Sequence, residues 1–145
     1  MIFFMTVCTL LVMGFAINGL ASLIGSNFLS LFLDQNLILL LVALFAINTT
    51  TASVILTKMR EIADKHPNVD FQTTRKEMKT SSFEQVALIL LAVLIGVLKS
   101  SPWMADHIPH LEFILNSVLV GIFFYAVHIL YDTAKGVYVI LDHGH

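Results

Sequence analysis

Ser117, Gly121, Tyr125, His128, Asp132 and Lys135 recur at spacings of four, four, three, four and three, which places them on one face of an α-helix. Such a stripe has two readings. It lines a pore or polar crevice, with His128 as a pH-sensitive element because its imidazole titrates near neutrality. Alternatively it packs: Ser117 and Gly121 form a small-xxx-small contact, and His128 and Asp132 sit near headgroups and water. A second cluster, Asn48, Thr49, Thr50, Thr51 and Ser53, surrounds its helix. Ser and Thr hydroxyls bond back to the carbonyl one turn earlier, whereas the Asn48 amide needs a partner on another helix. Interhelical bonding and a ring at a pore constriction both remain open for this cluster, Thr49 and Thr51 included. Gly14, Asn18, Ser22 and Gly25, spaced four, four and three, form a small face suited to close helix approach or oligomer contact. With Asn116, an Asn stands in the first, second and last apolar segments, which suggests a hydrogen-bonded interior.

Other chemistry is poorly supported by spacing. His107-Ile-Pro-His110 and Asp142-His143-Gly-His145 lack helical ligand spacing, and Pro109 interrupts the first, so no metal site is expected. Cys8 is the single cysteine and lies in an apolar run, which excludes an intrachain disulfide. No nucleophile–base pair, phosphate loop or paired-carboxylate site stands out, so the chain reads as a non-enzyme with no cofactor.

The elements that must position these residues are membrane spans. Of 145 residues, 57% are hydrophobic and 12% charged, and the charges avoid long stretches: 1–33, 35–57, 85–98 and 113–131 have none. A soluble chain of this size would need charged faces on its apolar segments. The lipid bilayer is the solvent that fits, and the expected fold is an all-α, integral-membrane bundle of four transmembrane helices in a single domain. The spans are placed at about 2–25, 37–57, 83–101 and 111–131. Met1-Ile2-Phe3-Phe4 offers no basic leader, so the first span is expected to stay uncleaved. A break is expected at Gly25-Ser26-Asn27, leaving Phe28–Leu33 as an interfacial piece. A tight turn follows at Asp34-Gln35-Asn36. The stretch after Lys65 is stopped at Pro67. Thr80, Ser81 or Ser82 is expected to cap the third span, with Lys99 snorkelling and Trp103 anchoring its far end. Met104–His110 reads as a short loop.

Six of the eight basic residues, Lys58, Arg60, Lys65, Arg75, Lys76 and Lys79, fall between spans two and three. The positive-inside rule puts that 58–82 loop in the cytosol, together with both termini and the tail 132–145, for a multi-pass protein of the inner membrane. The same residues, over 58–84, offer a surface to a cytosolic protein partner or to anionic lipid. A net charge of −2 gives no ground for direct nucleic-acid binding.

The arrangement "NLILLLVALFAINTTTASVILTKMREI", then the charged hairpin "DFQTTRKEMKTSSFEQ", then a second hairpin of spans, resembles small four-helix bacterial membrane proteins of phage-defence systems. The membrane component of the Kiwa system and the Rex-type membrane protein are examples. The resemblance is one of architecture over the whole chain and transfers no residue roles. It implies homo-oligomerisation and work as a sensor, effector or anchor for a cytosolic partner during infection. An ion channel or pore, and a small transporter or accessory membrane subunit, are the alternatives.

Overall fold

The computed structural model describes residues 2–65 and 71–142, and among them every regular element is helical: α1 (Ile2–Leu23), α2 (Phe28–Lys65), α3 (Gln72–Lys99), α4 (Pro102–His107) and α5 (Leu111–Asp142). Four of the five, all but α4, are long and apolar enough to cross a membrane. Their sequences explain this. Each holds a run of Leu, Ile, Val, Phe and Ala without charge, and the β-branched residues that weaken helices in water are tolerated when every backbone bond must close within the segment.

Chain reversals follow local chemistry. Gly25 adopts the left-handed conformation (φ 65°), and the Ser26 and Gly25 amides donate to the Ala21 and Ser22 carbonyls at 2.9 and 3.1 Å. This is a Schellman closure, which favours glycine at that position. Gly25 therefore terminates α1, and a Cβ there would meet nothing within 4 Å, so within one copy it makes no close helix contact.

Four expectations are also corrected. Asp34-Gln35-Asn36 is not a turn, and Phe28–Leu33 is not a separate piece; both lie inside α2. Leu33, Leu37 and Leu41 are buried at a spacing of four while residues 34–36 are exposed, so one continuous stripe runs straight past the polar triplet. Thr80, Ser81 and Ser82 are interior to α3, which starts eight residues earlier than Thr80 at Gln72. Ser82 Oγ donates to the Met78 carbonyl at 3.1 Å rather than capping. Residues 102–107 form α4 instead of a loop, with Pro102 in its first turn, where the missing N–H is harmless. The expected stop at Pro67 lies outside the described residues, as does His143 to His145 of the tail.

Helix α5 is the centre of the bundle. It contacts α1, α2 and α3, whereas α1 touches α2 only slightly and no contact joins α1 to α3 among the described residues. Residue pairings show α5 parallel to α2 (Phe32 against Phe123, Ile55 against Gly136) and antiparallel to α1 and α3 (Phe15 against Phe113, Glu84 against Tyr125). The main core joins Leu33, Leu37 and Leu41 of α2, Ala92 and Ile95 of α3, and Leu119, Val120, Ile122 and Ala126 of α5. A second, smaller core, Ala52, Ile55, Met59 and Met78 with Ile62, Phe71 and Val137 at its rim, holds the same three helices together farther along.

Two charged layers bound the apolar part. At one end the Lys99 ammonium sits 2.6 Å from Asp34 and 3.8 Å from Glu112, and Ser30 donates to Glu112 at 3.3 Å. Lys99 is thus drawn onto carboxylates of α2 and α5. At the other end lie Lys58, Arg60, Arg75, Lys79, Asp132 and Lys135, all exposed. On α5 the uncharged interval 113–131 corresponds to about 29 Å of helix at about 1.5 Å per residue, close to a hydrocarbon core of about 30 Å. Beyond it α2, α3 and α5 all continue as helix. The described parts of the 58–82 segment, 58–65 and 72–82, are therefore helical ends of a three-helix extension that shares the second core.

Candidate functional site

The polar residues gather at three separate places. The first is the crossing of α1 and α5. Gly14 is buried against the Ser117 carbonyl and the Gly121 backbone so closely that a Cβ at position 14 would collide with that carbonyl. A Cβ at Gly121 would meet the Leu11 side chain at 3.2 Å. Small residues on both helices allow this approach. One turn along, Asn18 Nδ2 donates to the Phe113 carbonyl at 2.8 Å and to Ser117 Oγ at 2.9 Å, while Ser117 Oγ donates to the Phe113 carbonyl at 2.8 Å. Asn18, Ser117, Gly14 and Gly121 thus form one sealed seam. Ser22 is exposed beyond it, on a crevice of about 200 Å³ that Asn116 also lines. Asn116 Oδ1 is buried and has no hydrogen-bond partner among the described residues.

The second place is the α2–α3–α5 interior. Asn48 and Gln85 are 1% and 2% exposed, and Asn48 Nδ2 donates to Gln85 Oε1 at 2.9 Å. Asn48 Oδ1 and Gln85 Nε2 face no other partner among the described residues, so the two amides make one of the two bonds that a paired arrangement would allow. Beside Gln85, the Glu84 carboxylate accepts from the Tyr125 hydroxyl at 3.1 Å. Sequence reasoning, which starts the third span at about residue 83, misses Glu84 and Gln85 as partners between helices. A signal for them is present: Met78, Gln85 and Ala92 recur every seven residues, the spacing of a buried seam. The neighbouring hydroxyls are occupied locally. Thr49, Thr50, Thr51 and Ser53 donate to the carbonyls of Phe45, Ala46, Ile47 and Thr49 at 2.8–2.9 Å. Thr49, Thr50 and Ser53 nevertheless lie on the outer surface of the bundle.

The third place is the basic end. His128 Nε2 is 3.3 Å from Asp132, which is 3.5 Å from the Lys135 ammonium, and that ammonium lies 4.4 Å from the Tyr131 ring centre. The stripe on α5 is accordingly divided. Its first half is consumed by α1, Tyr125 faces α3, and its last turns are exposed. Lys58 pairs with Glu61 at 2.6 Å, and this hydrogen bond and charge hold the Glu61 carboxyl below its ordinary value. Lys65, Arg60, Arg75, Lys76 and Lys79 project into the open. Arg60, Arg75 and Lys79 share one groove, between α2 and α3; Lys76 lies across α3 in another, with Glu77 and Asp132.

Chemically this arrangement can lock helix register, present cations and bind at a surface. His107 stacks on Trp103 at 4.7 Å between ring centres with its Nδ1 2.8 Å from the Trp103 carbonyl, so that pair is engaged within α4. Among the described residues no three His, Cys, Asp or Glu side chains converge as a metal site. No family model, curated protein or solved structure matches the chain. What the geometry establishes is a helical bundle with four candidate transmembrane helices, compatible with a multi-pass membrane protein.

Proposed function

We propose that this chain is a four-span protein of the bacterial inner membrane, with both termini cytosolic, that assembles with copies of itself and anchors a cytosolic protein partner as a sensor or effector. The observation that carries this reading is the three-helix extension. Helices α2, α3 and α5 run past the apolar layer, keep their own core around Met59 and Met78, and expose Lys58, Arg60, Lys65, Arg75, Lys76 and Lys79. The opposite end offers α4 with its flanking turns and the short turn between α1 and α2. The basic bias assigns the larger end to the cytosol, where a folded platform can meet a partner. Self-assembly is what the architectural resemblance to phage-defence membrane proteins implies. The architectural resemblance to phage-defence membrane proteins suggests the setting, anti-phage defence, and the reading is non-catalytic.

A pore within one copy is less well supported. Ser117 and Gly121, the start of the stripe that would line it, are closed over by α1. The test is co-expression with genomic neighbours followed by purification in detergent. The expected result is an oligomer carrying a cytosolic protein that is lost when Lys65 and Lys76 are changed to Glu. A strictly monomeric chain with no bound protein contradicts the proposal.

A further inference from the structure

Arg60 of α2 and Arg75 and Lys79 of α3 line a groove of about 700 Å³ whose lining contains no carboxylate. None of the three cations is engaged in an ion pair with a described residue, whereas Lys58, Lys99 and Lys135 all are. Three uncompensated positive charges facing one another across two helices repel, and they are stable together only in water or around an anion. The groove on the opposite side of α3 provides an internal contrast, because there Lys76 is accompanied by Glu77 and Asp132.

The height of the cationic groove narrows the choice of anion. Arg60 lies just beyond the uncharged interval 35–57 of α2, at the level where phosphates of a bilayer stand. Below the cations the groove descends into the apolar layer along Ala52 and Leu56. Its hydroxyls are not free to donate, since Thr49, Ser53, Thr57 and Ser82 each donate to the carbonyl four residues earlier. A cationic rim over an apolar, laterally open wall matches a molecule with a phosphate at one end and hydrocarbon at the other. A soluble phosphate would use the rim and leave the wall in contact with water.

We propose that the groove between α2 and α3 is a binding site for an anionic phospholipid, its phosphate held by Arg60, Arg75 and Lys79 and an acyl chain laid along Ala52 and Leu56. The site rests on the membrane-spanning reading above but not on any protein partner. Resistance of the chain to alkaline carbonate extraction from membranes checks the former separately.

The experiment places the purified full chain in nanodiscs containing spin-labelled phosphatidylglycerol or phosphatidylcholine and measures the immobilised fraction of each by electron paramagnetic resonance. The expected result is preferential immobilisation of phosphatidylglycerol that weakens as salt is raised. Each cation removed (R60Q, R75Q, K79Q) should lower that preference by about fivefold, in line with the contribution of one basic residue at an anionic surface. K76Q, in the mixed groove, should leave it unchanged and so separates a local site from general basicity. Helix content by circular dichroism identifies any variant that misfolds, and for such a variant competition of the wild-type preference by excess unlabelled phosphatidylglycerol substitutes. No preference in the wild type, a preference that survives the triple substitution, or an equal loss in K76Q overturns the site. Abolition of the preference by millimolar inorganic phosphate at constant ionic strength assigns the rim to a free anion and overturns the lipid.

Discussion

The α1–α5 seam and the basic end of α2 and α3 are built from the same kind of element, two antiparallel helices, yet they are packed in opposite ways. In the seam, Gly14 and Gly121 remove side chains where the backbones meet, and Asn18 spends both its amide hydrogens on α5. At the basic end, Met59 and Met78 fill the space between helices with flexible thioethers, and grooves of about 690 and 700 Å³ open on either side of α3. In lipid, apolar surface gains nothing by leaving its solvent, so helices associate through close contact and buried hydrogen bonds. In water, apolar burial suffices and adaptable Met is tolerated. On the proposed membrane-spanning reading, the contrast matches lipid around the seam and water around the basic end.

The strongest way to break the contrast is Gly14→Leu. Because the obstruction is the Ser117 carbonyl and the Gly121 backbone, relief requires α1 to leave α5, and the loss should reach about 3 kcal/mol, the upper part of the overpacking range. Steric-trap unfolding in bicelles reads this, with Gly19→Leu as the control because a Cβ there would meet nothing within 4 Å. Next comes the buried amide pair. Asn48→Ala leaves the whole Gln85 amide without its partner and should cost about 1–3 kcal/mol, while the joint change N48L/Q85L should recover most of that, since replacing both partners is far cheaper than orphaning one. Additive losses in that cycle would show that the two side chains are not coupled.

Asn18→Ala should cost less, about 0.6–1.7 kcal/mol, the usual span for polar contacts between transmembrane helices. Ser117 keeps its own bond to Phe113, which limits the damage. The smallest effect belongs to Lys58 and Glu61, an exposed pair. The Glu61 carboxyl titrates below its ordinary value because of Lys58, so the contact is intact above the ordinary carboxylate range and is lost as pH falls through the lowered value. Lys58→Ala should raise the Glu61 titration toward its ordinary value by carboxyl-selective NMR without a measurable change in unfolding.

Much of this is legible from the residues, and the exceptions have physical causes. The helical class and four spans follow from uncharged runs, which no soluble helix of such length needs. The α1 small face is legible as a contact surface, but its partner is not, because packing in lipid depends on shape and several faces here are small. Gly25 shares the spacing of that face while serving the Schellman turn; only the φ angle separates the two roles. Asp34-Gln35-Asn36 resembles a turn because its polar residues favour turns, yet at the water boundary a helix can expose all three and hold its core stripe through Leu33 and Leu37. Asn48 announces its need of a partner. Gln85 is hidden by its neighbours Glu84 and Ser82, which read as a helix start until α3 is seen to begin at Gln72.

The central claim is that the three-helix basic end and the α4 end lie on opposite sides of one membrane, with the basic end cytosolic. It is tested most directly by sidedness of labelling after Cys8→Ser. Cysteine placed at Glu61 and at Glu77, both exposed at the basic end, and at His107, exposed on α4, is treated with a membrane-impermeant maleimide in intact cells and in inverted vesicles. The account predicts labelling of positions 61 and 77 only in inverted vesicles and of position 107 only in intact cells. Labelling of position 107 from the same side as position 61 would mean that α3 does not cross, and would contradict the account.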